Sequence, residues 1–121
     1  MLLVDDDEDV RETLAEILAM RGFVVAKAGD GHEALKCATD ASPDIAILDV
    51  GLPGMDGYEL ARRLRFTAGV RADLLLIAVT GYGQQENRRL AHEAGFKHHL
   101  VKPFDLDVLA KALDDQVAAE F

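Results

Sequence analysis

The chain has 121 residues, half of them apolar and 29% charged, and its 22 acids against 13 lysines and arginines give a formal net charge of −9. This is the balance of a single soluble domain with a real core, so one domain is expected over residues 1–121. The acidic surplus repels nucleic-acid phosphates and argues against direct nucleic acid binding, and no apolar run approaches membrane-spanning length. The single cysteine, Cys37, makes no internal disulfide. With no signal peptide before it, the expected location is the cytoplasm.

Leu2, Leu3 and Val4 read as a short buried strand that stops at the acids Asp5 to Asp9. Val10, Leu14, Ile17 and Leu18 then recur at helical spacing, with acids in the first turn and Gly22 where a C-terminal cap belongs. Phe23 to Ala26 read as a second strand, Asp30 as an N-cap, and Glu33 to Ala38 as a helix ending before Ser42 and Pro43. Ile45 to Leu48 is a buried strand that delivers Asp49 to a loop broken by Gly51, Pro53, Gly54 and Gly57. Tyr58, Leu60, Ala61 and Leu64 line one side of the next helix, and Arg62, Arg63 and Arg65 are assigned to its solvated side. Leu74 to Val79 is a continuously apolar fourth strand, broken at Thr80 and Gly81. A helix is expected over about Gln85 to Ala94, capped by Gly95. His99 to Val101 form a last short strand that ends at Lys102 and Pro103. Leu106, Leu109, Leu113 and Val117 mark a final helix with Asp105 at its N-cap.

Five alternations of two-sided apolar strands with helices mean a parallel sheet covered on both faces. Ligand chemistry in such sheets lies beyond the carboxyl ends of the strands. Those ends deliver Asp5 and Asp6, Asp49, Thr80 and Lys102 to one edge. Three converging carboxylates repel one another and favour a hard divalent cation, Mg²⁺ or in its place Mn²⁺. A phosphoryl group arriving there meets the cation, the Lys102 ammonium and the Thr80 hydroxyl, and Asp49 is the carboxylate nucleophile placed to accept it. His98 and His99 point to opposite faces of their strand, which argues against a shared zinc site.

The segments VDDDED, LDVGLPGMDG, VTG and VKPF, in that order along the alternating pattern, resemble the receiver domain of two-component response regulators over essentially the whole chain. The resemblance implies a CheY-like, flavodoxin-like doubly wound (βα)5 α/β fold of strand order 2-1-3-4-5. It also implies Mg²⁺-dependent phosphoryl transfer to Asp49 from a phosphohistidine on a sensor histidine kinase or a histidine phosphotransfer domain. Asp6 then matches the principal metal ligand, Asp5 its support, and Gly51 the position whose backbone carbonyl faces the metal. Thr80 and Lys102 match the phosphoryl-contacting pair, and the Lys102–Pro103 bond matches one that is often cis. Where the family places an inward-swinging aromatic switch, three residues before the lysine, this chain has His99. Gly51 and Tyr82 flank the phosphoryl position, which points to slow loss of the group.

The output expected of such a domain is a partner-binding surface toward an unspecified downstream protein, on the face built from the fourth helix, fifth strand and fifth helix. The same face would serve a homodimer. The chain reads as a signalling domain that assists its own phosphorylation and dephosphorylation, not as an enzyme acting on a separate substrate. Both a stand-alone regulator and a piece of a hybrid sensor kinase fit. A flavodoxin-like binding domain is disfavoured by five consecutive acids where a phosphate-cradling loop belongs. An aspartate-nucleophile phosphatase is disfavoured by Gly51, which stands where its general acid would be. A degenerate receiver that only binds partners is disfavoured by the intact acid, threonine and lysine set.

Overall fold

A computed structural model describes residues 1–52, 54–67, 69–70, 73–81, 88–102, 107, 109 and 111. Its elements in chain order are β1 (Leu2–Val4), α1 (Glu8–Met20), β2 (Ala26–Ala28), α2 (Gly31–Ala41), β3 (Ile45–Asp49), α3 (Gly57–Phe66), β4 (Leu75–Thr80), α4 (Arg88–Ala94) and β5 (Phe96–Val101). The five strands are parallel in the order β2-β1-β3-β4-β5, which is the doubly wound architecture expected from the alternation.

Strand periodicity splits the core into two layers. Leu2, Val4, Leu48, Leu76 and Ala78 face one side of the sheet, where Ala34, Ala38, Leu60 and Leu64 of α2 and α3 and Ala91 and Ala94 of α4 cover them. Leu3, Ile47, Leu75, Ile77 and Val79 face the other side, where Leu14 and Leu18 of α1 pack with Leu100 and Leu109. Both faces of β1, β3 and β4 are therefore dry, and their runs are apolar without alternation.

The starts of α1, α2 and α3 follow from side-chain caps. Asp7 accepts from the backbone N–H groups of Asp9 and Val10 at 3.0 and 3.2 Å, Asp30 from Glu33 at 2.8 Å, and Asp56 from Glu59 at 2.9 Å. The acidic run after β1 thus has separate jobs, because Asp7 closes the first turn of α1 while Asp5 stays buried.

The fourth strand is shifted by one residue from the sequence reading, to Leu75–Thr80, so that Thr80 pairs within the sheet, and two strands differ by more. The second was expected at Phe23–Ala26 but pairs at Ala26–Ala28, with Val24 exposed. Its partner β1 fixes this register: Leu2 lies opposite Ala26, and the Ala26 N–H donates to Met1 O at 2.8 Å. The more β-prone Phe23, Val24 and Val25 precede that register. The fifth strand is longer than expected, beginning at Phe96 with a bulge between its pairings to Leu76 and Ile77. Gly95 precedes it at φ 96°, as a cap should. Tyr82, Gln85, Pro103 and Asp105 lie outside the described residues, as does most of the expected final helix; Asp107, Leu109 and Lys111 of that helix are helical.

Candidate functional site

The sheet ladder runs one step past the strand ends and so holds the loop residues in register. The Asp5 N–H donates to Ala28 O at 3.2 Å, the Val50 N–H to Val79 O at 2.9 Å, and the Lys102 N–H to Thr80 O at 2.7 Å. Asp5, Asp49, Thr80 and Lys102 are thereby fixed on one edge by backbone bonds that do not depend on their side chains.

The side chains converge. Carboxylate oxygens of Asp5, Asp6 and Asp49 lie within 4.8 Å of one another, with Asp5 and Asp49 buried and Asp6 exposed. Lys102 Nζ donates to Asp5 Oδ2 at 2.6 Å and to Asp49 Oδ2 at 3.3 Å. The remaining oxygens are held by backbone, since Asp49 Oδ1 accepts from the Gly51 N–H at 2.8 Å and Asp5 Oδ1 from the Asp7 N–H at 2.9 Å. Thr80 is fully buried, and its Oγ1 shares a 3.2 Å hydrogen bond with Nε2 of His99, so the imidazole is turned toward the site.

Burial pushes the Asp49 carboxyl above its ordinary value. The Gly51 N–H and the Lys102 ammonium oppose that rise, and the Asp5 charge adds to it. Burial pulls Lys102 down, but the hydrogen bond to Asp5 and the charges of Asp49 and Asp5 outweigh it, and the ammonium is stabilised above its usual range. The edge is thus an electrostatically strained acid cluster bridged by one cation. All its donors are hard oxygens, and an incoming divalent ion offsets the carboxylate repulsion that adds to the burial-driven rise of Asp49; the donor set fits Mg²⁺.

Two contacts were not anticipated, one at this edge of the sheet and one at its opposite end. Arg11 Nη1 donates to Asp5 O at 3.1 Å, tying the first turns of α1 to the acidic loop. Its only signal was a cation six residues after Asp5. Arg65 was assigned to a solvated face, yet it donates from Nε to Ala94 O at 3.3 Å and from Nη2 to Gly95 O at 3.0 Å, across to the end of α4. Arg63 does remain on the outer face, paired with Glu59 one turn earlier at 3.0 Å.

A parallel 2-1-3-4-5 sheet with an acid cluster, a threonine and a lysine on its carboxyl edge defines a class of phosphorelay signalling domain. The chain belongs to the response regulator receiver domain family, whose profile matches residues 1–114. Sporulation initiation phosphotransferase F of Bacillus subtilis is 33% identical over 113 residues, covering 93% of this chain and 89% of that protein. Response regulator MprA of Mycolicibacterium vanbaalenii is 39% identical over 109 residues, covering 90% of this chain but 46% of that protein. The chain therefore spans most of the first relative and about half of the second.

Among solved structures, chemotaxis protein CheY4 of Vibrio cholerae superposes with a TM-score of 0.84 at 29% identity, covering 94% of each chain. The receiver domain of a signal transduction histidine kinase from Syntrophus aciditrophicus gives 0.82 at 29% identity, covering 98% of this chain and 89% of that one. No helix among the described residues is long and apolar enough to cross a membrane.

Proposed function

We propose that residues 1–121 form one receiver domain in which Asp49 accepts a phosphoryl group from a phosphohistidine on a sensor histidine kinase or a histidine phosphotransfer domain. The observation that carries this reading is the convergence of the Asp5, Asp6 and Asp49 oxygens within 4.8 Å, bridged by Lys102. Asp5, Asp6 and Asp49, with the Gly51 carbonyl, would hold Mg²⁺, which when bound neutralises phosphoryl oxygens and the acid cluster together. Asp49 Oδ2 is the nucleophile: Oδ1 is tied to the Gly51 N–H, while Oδ2 faces the Lys102 ammonium. In the transfer an oxygen–phosphorus bond forms to Asp49 as the phosphorus–nitrogen bond of the donor imidazole breaks, and the leaving ring nitrogen takes a proton from water. Lys102 follows the charge onto the phosphoryl oxygens, and Thr80 presents its hydroxyl to one of them. Water attack on phosphorus later returns the carboxylate and inorganic phosphate.

Thr80 engagement has a consequence further along the sheet. The Thr80 hydroxyl is shared with His99, so drawing it toward a phosphoryl group disturbs β5 and the surface beside it. That is a population shift driven by the better fit of the phosphorylated site to one arrangement. The downstream partner, or a second copy of this chain, would read that surface. Intact-mass measurement after incubation with acetyl phosphate tests the reading. One phosphoryl adduct is expected on wild type with Mg²⁺, and none without Mg²⁺ or in Asp49→Asn; an adduct that persists in Asp49→Asn refutes the assignment.

A further inference from the structure

α3 meets the rest of the fold at both of its ends. At its start a Cβ on Gly57 would lie 2.6 Å from Val50 Cα and 2.7 Å from Asp49 O, so the helix begins against the backbone of the Asp49 loop. One residue on, the Tyr58 ring meets Phe96 edge-on, with centroids 6.1 Å apart and planes at 79°. Two turns later Arg65 hydrogen-bonds the Ala94 and Gly95 carbonyls.

The last carbonyls of a helix have no partner within it, and a cation there also complements the helix dipole. α4 carries only His92 as a basic residue in its last turn, so a neighbouring helix supplies the arginine. Gly95 is at φ 96°, and a Cβ on it would run into the guanidinium; the arginine fills space that glycine leaves open. Since β5 starts at the very next residue, a clasp on Gly95 O fixes the end of α4 and the beginning of β5 together.

We propose that Arg65 is a pin. It holds the α4–β5 turn against α3, so a rearrangement begun at Asp49 and Thr80 swings the N-terminal end of α4 while residues 94–97 stay in place. The pivot rests on the phosphoacceptor reading; the clasp does not.

Hydrogen exchange read by mass spectrometry on wild type, Arg65→Gln and Arg65→Lys tests both. In the resting protein, Arg65→Gln is expected to exchange about tenfold faster over Ala94–Lys97, with Leu2–Val4 and Ile45–Asp49 unchanged. Arg65→Lys falls between, because an ammonium keeps the charge but loses the two-pronged fork. With acetyl phosphate and Mg²⁺, and the adduct confirmed by mass, wild type is expected to change over Arg88–Ala91 and not over Ala94–Lys97. In Arg65→Gln the change reaches Ala94–Lys97. Unaltered exchange in resting Arg65→Gln, or an increase spread evenly over the chain, overturns the clasp. A phosphorylated wild type that changes equally in both segments overturns the pivot. A protein that takes no adduct overturns the phosphoacceptor reading and the pivot with it, and the resting comparison then decides the clasp alone.

Discussion

Two lysines in this molecule reach a carboxylate at the same distance, 2.6 Å, in opposite settings: Lys102 on Asp5 at the carboxyl edge of the sheet, and Lys27 on Glu12 between β2 and α1. The side chains of the first pair are 25% and 6% exposed, those of the second 42% and 48%. At the surface the lysine prevails: its hydrogen bond holds the Glu12 carboxyl below the usual range, as expected of a solvated pair. At the site burial prevails, and Asp49 is raised although the same type of cation touches it. Contact with a lysine therefore does not by itself decide how a carboxylate behaves: Glu12 lies 2.6 Å from Lys27 and is lowered, whereas Asp49 lies 3.3 Å from Lys102 and is raised. The cost of taking charge out of water decides whether it stabilises the fold or stores repulsion for a ligand to relieve.

The largest break in this contrast is Asp49→Asn, which removes the proposed acceptor. Complete loss of the phosphoryl adduct is expected, read by intact mass, with the fold retained by circular dichroism. Next is Lys102→Met, which leaves Asp5 and Asp49 facing each other without their bridging cation. A loss of about 2 kcal/mol is expected in urea denaturation without divalent ions, below the usual range for a broken buried pair because the lysine is partly exposed. Added Mg²⁺ should recover more stability in this variant than in wild type, since binding to the folded state alone stabilises it.

The pH dependence of stability sharpens the comparison, because the two carboxylates have opposite signs. Asp49 is raised in the folded state, so the native protein holds this proton more tightly. Its contribution is present below the unfolded value and is lost as pH rises from the ordinary aspartate range through the raised one. Asp49→Asn should therefore gain on wild type over that window in a denaturation series without Mg²⁺; parallel curves there would count against the raised value. Glu12 is lowered, so its contribution is present above the unfolded value and lost as pH falls through the lowered one. Being solvent-exposed, it gives the smallest effect: Glu12→Gln should leave the thermal midpoint within measurement error, and any loss should vanish in high salt.

Much of this was legible along the chain because the signals are local. Leu2–Val4, Ile45–Asp49 and Leu75–Thr80 are short apolar runs ended by polar or turn residues, and Asp30 is a cap whose partner lies three residues away. The strand ends then named Asp5, Asp49, Thr80 and Lys102 as neighbours, since a parallel sheet puts every carboxyl end on one edge. The misplaced second strand shows where local signals stop. Ala26, Lys27 and Ala28 are poor strand formers that pair because β1 lies opposite them, while Val24 stays exposed.

Local pattern and period by themselves determined the order of elements and the two-sided core, because each depends on spacing within a few residues; the membership of the acid cluster followed once parallel strands put every carboxyl end on one edge. Tertiary structure alone decided how charge is shared. The burial that raises Asp49, the bond between Thr80 and His99, and the reach of Arg65 to Gly95 join residues distant in sequence. Their energies depend on how much water the fold excludes between them, which no stretch of sequence records.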